Sequence, residues 1–161
     1  MKIVRIYLSP DHNFVGHHGK PPGETPAEKV DKVECVAGSG LRGDRYFDHR
    51  EDYKGQVSFF AEEVHHRICE QFGRSPDDID ASVYRRNVIT RGIDLNTLIE
   101  KEFEIQGVRF RGTEECSPCY WMNSAFGPEA EEALKGNGGL RARILSDGEL
   151  RVDADADSKD L

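Results

Sequence analysis

The sequence predicts a mainly β domain, a barrel or a sandwich, on three observations. Short runs rich in β-formers recur along the whole chain, only one stretch keeps helical spacing for more than two turns, and Gly, Asp and Pro turn signals separate the runs. Alternating βαβ units would need many more amphipathic helices than this. At 161 residues the chain has the size of one ordinary domain, and no break in composition or internal repeat divides it.

Residues 2–8 open the chain as a strand, with Ile3, Val4, Ile6 and Leu8 among its β-formers, and Ser9-Pro10 ends it. Residues 11–25 read as a long loop of turn residues, and loops of that length inside a compact domain are often functional. A strand over 29–36 runs into the glycine-rich stretch 38–45. Residues 56–60 form a buried strand, and 61–72 then switch to helical spacing, with Val64, Ile68 and Phe72 on one stripe and Gly73 as the stop. His65 and His66 fall off that stripe and are expected to face solvent. Ser75-Pro-Asp-Asp makes a turn or helix start, 88–90 a short strand, and 94–99 a single helical turn capped by Asp94. Residues 102–105 and 108–113 flank Gln106-Gly107 as a hairpin with a two-residue loop, which delivers the cysteine segment. A short helix over 128–134 follows, then a second hairpin, 140–145 and 149–152, around Ser146-Asp147-Gly148.

Hydrophobic residues at 37% and charged residues at 32% describe a globular chain with a modest core. No apolar run is long enough to cross a bilayer, and no signal-peptide core follows the first residues, so a cytoplasmic setting with reduced thiols is expected. The net charge of −8 opposes a general nucleic-acid partner. Asp153, Asp155, Asp157 and Asp160 against Lys159 give the end of the chain a net −3, leaving −5 for residues 1–152. That acidic tail, 153–161, reads as frayed and solvated.

Gly38-Ser-Gly40-Leu-Arg-Gly43 matches the G-x-G-x-x-G dinucleotide fingerprint and follows a strand. The residues behind it have no amphipathic stripe, and Asp44 brings negative charge where a pyrophosphate would sit. A tight loop, with glycines at positive φ and Asp44 bonding the turn, accounts for the same residues.

Cys116-Ser-Pro-Cys119 is the strongest local signal, and several chemistries share its spacing. A thioredoxin-like pair needs a βαβ setting and more elements than follow here. A zinc site needs two further ligands, whereas Cys35 and Cys69 are isolated and His17-His18 and His65-His66 are adjacent pairs that diverge. One activated thiolate, as a soft metal ligand or a sulfur nucleophile, is the third reading, and two inert buried thiols the fourth. Arg85, Arg86 and Asn87, with Thr90 and Arg91 close behind, gather guanidinium forks and an amide in an otherwise acidic chain, which suits a small anionic ligand. Arg42, Arg45, Lys54, Arg141 and Arg143 are further candidates, each set against the alternative of an ordinary surface ion pair.

Four ordered motifs, Gly40-Leu-Arg-Gly-Asp44-Arg45, Gly55-Gln56-Val-Ser before Glu62-Glu63, Arg85-Arg86-Asn87-Val-Ile-Thr90-Arg-Gly-Ile-Asp-Leu, and Cys116-Ser-Pro-Cys119, resemble the MOSC (molybdenum cofactor sulfurase C-terminal) family over most of the chain. The resemblance implies a mixed β-barrel of the pyruvate-kinase β-barrel-like type with a few short helices. It implies a cysteine that ligates the metal of a molybdenum cofactor (molybdopterin) or carries sulfur as a persulfide. That residue matches Cys119, since Pro118-Cys119 precedes a polar-aromatic stretch as in the family, while Cys116 varies more and is kept as a second catalytic candidate. Arg85 and Asn87 match the family's cofactor-binding Arg-x-Asn, and Lys54, Gly55 and Gln56 its loop before the helix. Glu100 stands where glycine is common. No pyridoxal phosphate site is implied by this chain. Three functions stay open at this point: a cofactor-binding protein reducing small N-hydroxylated compounds, a sulfur carrier, and a non-catalytic binding module. A cysteine desulfurase or an electron-transfer protein is the implied partner, with a small-molecule substrate, no nucleic acid and no membrane.

Overall fold

The computed structural model describes residues 1–10, 27–118 and 121–156. The loop read at 11–25 with His17 and His18, the thiol of Cys119 and residues 157–161 lie outside the described residues.

The fold is mainly β. Strand β1 (Lys2–Leu8) starts a seven-stranded mixed sheet that also holds β2 (Glu28–Val30), β5 (Val57–Ala61), β6 (Val88–Arg91), β7 (Glu102–Ile105), β8 (Val108–Glu115) and β9 (Leu140–Ile144). Their order is β2-β1-β6-β5-β9-β8-β7. Among the strand pairings of the described residues only β5–β6 is parallel, because the chain crosses between these strands through helix α1 (Glu62–Gln71). A second sheet, β10-β3-β4, joins β3 (Lys32–Val36), β4 (Gly40–Leu41) and β10 (Gly148–Arg151). The predicted strand over 29–36 is thus two strands, broken at Asp31, that serve different sheets. Among the described residues the pairings close no ring, but both sheets wall one core. At its centre Phe59 meets Phe103 and Phe110 edge-on, with ring centroids 5.8 and 5.5 Å away. Edge-on contact sets the positive ring edge against the negative face. Two short helices, α2 (Trp121–Phe126) and α3 (Ala130–Leu134), follow the cysteine segment. Among the described residues no helix is long and apolar enough to cross a membrane.

The first hairpin forms as the two-residue loop predicts, with Gln106 at φ 52° and Gly107 at φ 84°, the twist that lets adjacent antiparallel strands pair. The second does not. β9 has β5 on one edge and β8 on the other, so neither edge is left for β10, which crosses to β3. Asp147 fixes that departure by accepting the Ala37 N–H at 2.8 Å.

Two expectations of exposure are corrected. His65 is buried: the segment after α1 folds back over it, so Nδ1 lies 2.7 Å from the Tyr84 hydroxyl and Nε2 3.4 Å from Pro76 O. At the other end, residues 153–156 dock on β1 instead of fraying. Asp153 Oδ2 accepts the Ile3 N–H at 2.6 Å, the Asp153 N–H returns a bond to Ile3 O at 2.9 Å, and Ala156 is buried. These bonds satisfy backbone groups at the start of β1 that no strand covers.

Candidate functional site

The hairpin β7–β8 carries the chain to Cys116. Near its end β8 contains a bulge: Gly112 faces Ala142 and Glu114 faces Arg141, so Thr113 is an extra residue with no opposite number on β9. A bulge re-aims the side chains around it. Here the Thr113 hydroxyl reaches the carbonyls of Lys54 (2.7 Å) and Arg141 (3.0 Å), and the Glu114 carboxylate reaches their side chains. Glu114 Oε1 lies 3.0 Å from Lys54 Nζ and 3.3 Å from Arg141 Nη1. Gly55, next to Lys54, is closely packed: a Cβ there would stand 3.1 Å from the Tyr53 ring and 3.4 Å from Arg141 Cδ, so these side chains would have to give by a few tenths of an ångström.

Beyond the bulge, the Cys116 N–H donates to Gly139 O at 2.8 Å. The segment is clamped by Arg86, whose Nε donates to Gly138 O (2.9 Å) and whose Nη2 donates to Ser117 O (3.2 Å). Glu115 accepts the Gly138 N–H at 3.1 Å. Gly138 is required sterically, since a Cβ would fall 1.9 Å from Cys116 O. Arg85, at φ 64°, makes the left-handed step from the 3₁₀ turn Ala81–Tyr84 into the residues that lead to β6.

Cys116 itself is 2% exposed. Burial pushes its thiol up, which the nearby Arg86 and a hydrogen-bonding Arg141 oppose and Glu114 reinforces. The thiol is therefore held protonated in the folded protein, and a protonated thiol is a poor ligand and a poor nucleophile. Cys35 and Cys69 are also buried, with thiols raised by burial.

Lys54, Gly55, Arg86 and Cys116 thus come together, with Arg141 as the further cation. Asp44, Gln56 and Asn87 do different work. Asn87 Oδ1 accepts from Ser58 N and Ser58 Oγ, each at 3.1 Å, while Nδ2 donates to Tyr7 O and to Asp44 Oδ1, each at 3.2 Å. Both donors and both acceptor positions of the amide are filled within the protein. Asp44 also accepts from Ser9 N and Tyr46 N, closing the glycine loop, where Gly38, Gly40 and Gly43 all have positive φ. No helix follows that loop, so the dinucleotide fingerprint is a turn. Gln56 Oε1 accepts the Ile144 N–H at 2.8 Å. Arg45 lies over the Tyr46 ring, 4.7 Å from its centroid, and among the described residues its buried Nε has no hydrogen-bond partner; nor has the hydroxyl of fully buried Thr90. Arg42 and Arg143 are paired with Glu34 and Asp52.

Sequence reasoning missed Thr113, Glu114, Glu115 and Gly138. The signal for the first three was the break in alternation at the end of β8, where three polar residues run together after an apolar-polar strand. Two cavities of the fold open away from Lys54 and Glu114, the first reaching Asn137 and Gly139. One of about 420 Å³ opens between α1 and the 3₁₀ turn Leu95–Leu98, and one of about 400 Å³ lies over Tyr7, His65 and Asp80. Among the described residues no group of His, Cys, Asp and Glu side chains is placed to hold a metal ion.

A family model described as MOSC domain matches residues 16–156. The chain belongs to the MOSC domain family. That family is associated with molybdenum cofactor binding. Solved MOSC-like folds include the YuaD protein from Bacillus subtilis, 19% identical, covering 94% of this chain and 91% of its own, with a TM-score of 0.70. YiiM from Escherichia coli is 16% identical over 95% of this chain and 67% of its own, with a TM-score of 0.64. YiiM from Geobacillus stearothermophilus is 15% identical over 93% and 70%, at 0.65. At such identities the likeness is one of fold. Comparison with curated proteins gives no match.

Proposed function

We propose that this MOSC domain binds a molybdenum cofactor, with the thiolate of Cys119 as metal ligand and small N-hydroxylated compounds as substrates. One observation carries the reading. In a chain of net charge −8, three cationic side chains, Lys54, Arg86 and Arg141, converge on the segment that leads into Cys119.

The donor set fits a phosphorylated, sulfur-rich group. Lys54 and Arg141 are part-exposed and share one carboxylate, Glu114, as counter-ion, which leaves one positive charge for a ligand phosphate. Arg86, committed to two carbonyls, would hold the cysteine segment in place. Asn87, with its amide saturated, would brace β1, β5 and the glycine loop behind the site and not touch the ligand. Cys116, buried and protonated, leaves Cys119 as the thiol for coordination. When bound, molybdenum would supply two-electron oxygen-atom removal, with two electrons from an electron-transfer partner and two protons releasing the oxygen as water, chemistry that no side chain of this protein offers alone.

The test is expression in a host that makes the cofactor, with molybdenum measured per protein. Stoichiometric metal that disappears in Cys119→Ser supports the reading; metal that persists in the variant refutes the ligand role. If metal is absent and incubation with a cysteine desulfurase and cysteine leaves a sulfane adduct on Cys119, the domain is a sulfur carrier instead.

A further inference from the structure

We propose that Glu114 is a resident counter-ion seated where an anionic ligand group binds, and that the Lys54–Arg141 pair takes up a phosphate by exchanging it for the Glu114 carboxylate. This deepens the cofactor reading above and rests on it, since the seat would hold the phosphate of that ligand.

The geometry separates what is fixed from what is free. The backbones that carry the two cations are fixed: the Thr113 hydroxyl reaches both the Lys54 and the Arg141 carbonyl, and the Arg141 stem lies close against Gly55. Arg141 stands in register on β9, in the interior of the seven-stranded sheet. The anion between them can leave without moving either backbone. Glu114 reaches across from the bulge on a side chain 43% exposed, to a lysine 49% exposed and an arginine 34% exposed. Ion pairs this open to water contribute little to stability, so giving one up costs the fold little. A rotation of the Glu114 side chain into solvent would vacate the space between two cations whose backbones stay in place.

Charge completes the argument. Lys54 and Arg141 carry two positive charges and Glu114 one negative, so the resident arrangement is under-neutralised. A phosphate monoester carries about −1.5 to −2 at pH 7 and offers three acceptor oxygens, which match an ammonium and a guanidinium fork together. A monocarboxylate matches half of that charge. Glu114 thus sets a threshold: dianions displace it, and chloride or simple carboxylates do not.

The experiment titrates the purified full chain with inorganic phosphate at low ionic strength by calorimetry. Wild type is expected to bind weakly and Glu114→Gln at least tenfold more tightly, with the gain lost in Lys54→Met/Glu114→Gln. Glu104→Gln, which removes an equal charge from the exposed outer strand β7, is the control and should leave affinity unchanged. Glu114→Ser replaces the glutamine variant if that one loses its cooperative melt. Unchanged phosphate affinity on removing the Glu114 carboxylate, or a gain equalled by Glu104→Gln, overturns the proposal. If molybdenum loading succeeds and phosphate affinity does not respond, the role of Glu114 alone falls. If phosphate responds and no metal is loaded, the seat stands and the cofactor reading falls.

Discussion

Asn87 Nδ2 donates to Asp44 Oδ1 at 3.2 Å inside the protein, so two residues whose types suggest a ligand site bind each other. The pair ties the residue before β6 to the glycine loop, and the other Asn87 bonds extend the tie to Tyr7 on β1 and Ser58 on β5. Asparagine is the side chain this junction needs, because it must donate to a carbonyl and a carboxylate while accepting from a backbone N–H and a hydroxyl.

Asn87→Ala should therefore lower stability more than a surface change does. It removes the partners of buried groups, and an unsatisfied buried donor or acceptor costs roughly 1–3 kcal/mol. With several stranded at once, a loss of about 3 kcal/mol is expected in urea melts. Ligand affinity per folded molecule should change far less. A variant that melts like wild type yet loses all ligand binding would contradict the bracing role.

Arg86→Ala should cost about 1.5–3 kcal/mol, the range for hydrogen bonds from a charged donor, through loss of its bonds to Gly138 O and Ser117 O. Arg86→Lys, a point charge without the fork, cannot span both carbonyls and should recover only part of that. If the strap positions the cysteine segment, both variants should also lower metal occupancy in proportion to the strap they lose. Occupancy equal to wild type in Arg86→Ala would separate the clamp from the site.

Much of this was legible in the sequence, for identifiable reasons. The β7–β8 hairpin, the Asp94 cap and the α1 stop at Gly73 depend on local backbone chemistry, and local chemistry is what a sequence displays. Lys54, Gly55, Arg86 and Cys116, singled out by residue type and resemblance, do lie together in the fold. The roles within the group were not legible. Whether an amide such as Asn87 faces a ligand or a neighbouring strand depends on contacts 29 to 80 residues away. The β10 pairing was missed for the same reason: an Asp-Gly turn predicts a hairpin only where the preceding strand has a free edge, and β9 has none. Burial of His65 depends on a segment that returns from outside α1.

Glu100 offers a test of local strain. It sits at φ 63°, with its N–H bonded to Gly112 O at 2.9 Å, in the turn before β7. A side chain in the left-handed region costs about 1–2 kcal/mol. Glycine removes that strain and adds about 0.4–1 kcal/mol of unfolded-state entropy. Strain wins, so Glu100→Gly should stabilise the domain by roughly 0.5–1 kcal/mol, read as a rise in the denaturation midpoint with unchanged slope. A lower midpoint would mean that the glutamate makes a compensating interaction.

The buried His65 sets the acid limb of stability. Pro76 O can only accept, so Nε2 carries the ring proton and Nδ1 accepts from the Tyr84 hydroxyl. Burial lowers the pKa from its ordinary 6.5, against the opposing pull of the Pro76 and Ile79 carbonyls and Glu62, with His66 adding to the lowering. A base whose folded pKa lies below its unfolded one binds its proton more readily when unfolded, so stability rises with pH across the interval between the two values. Stability from this residue is complete above about pH 7 and is lost as pH falls through 6.5 toward the lower folded value. Asp80, whose carboxyl is held down by the Tyr7 hydroxyl and the Ser82 N–H against the upward push of its burial, contributes only further into acid, below the ordinary carboxylate range. Denaturation midpoints for wild type should therefore decline between pH 7 and 5, and His65→Gln, which keeps a donor and an acceptor but cannot titrate, should flatten that decline. Tyr84 immediately precedes Arg85 and Arg86, so acid disruption of the His65–Tyr84 bond should loosen the cysteine clamp before the sheet melts. Hydrogen exchange at pH 5.5 would show this as early loss of protection at the Cys116 N–H, which bonds to Gly139 O, and equal protection at pH 5.5 and 7.5 would disprove the coupling.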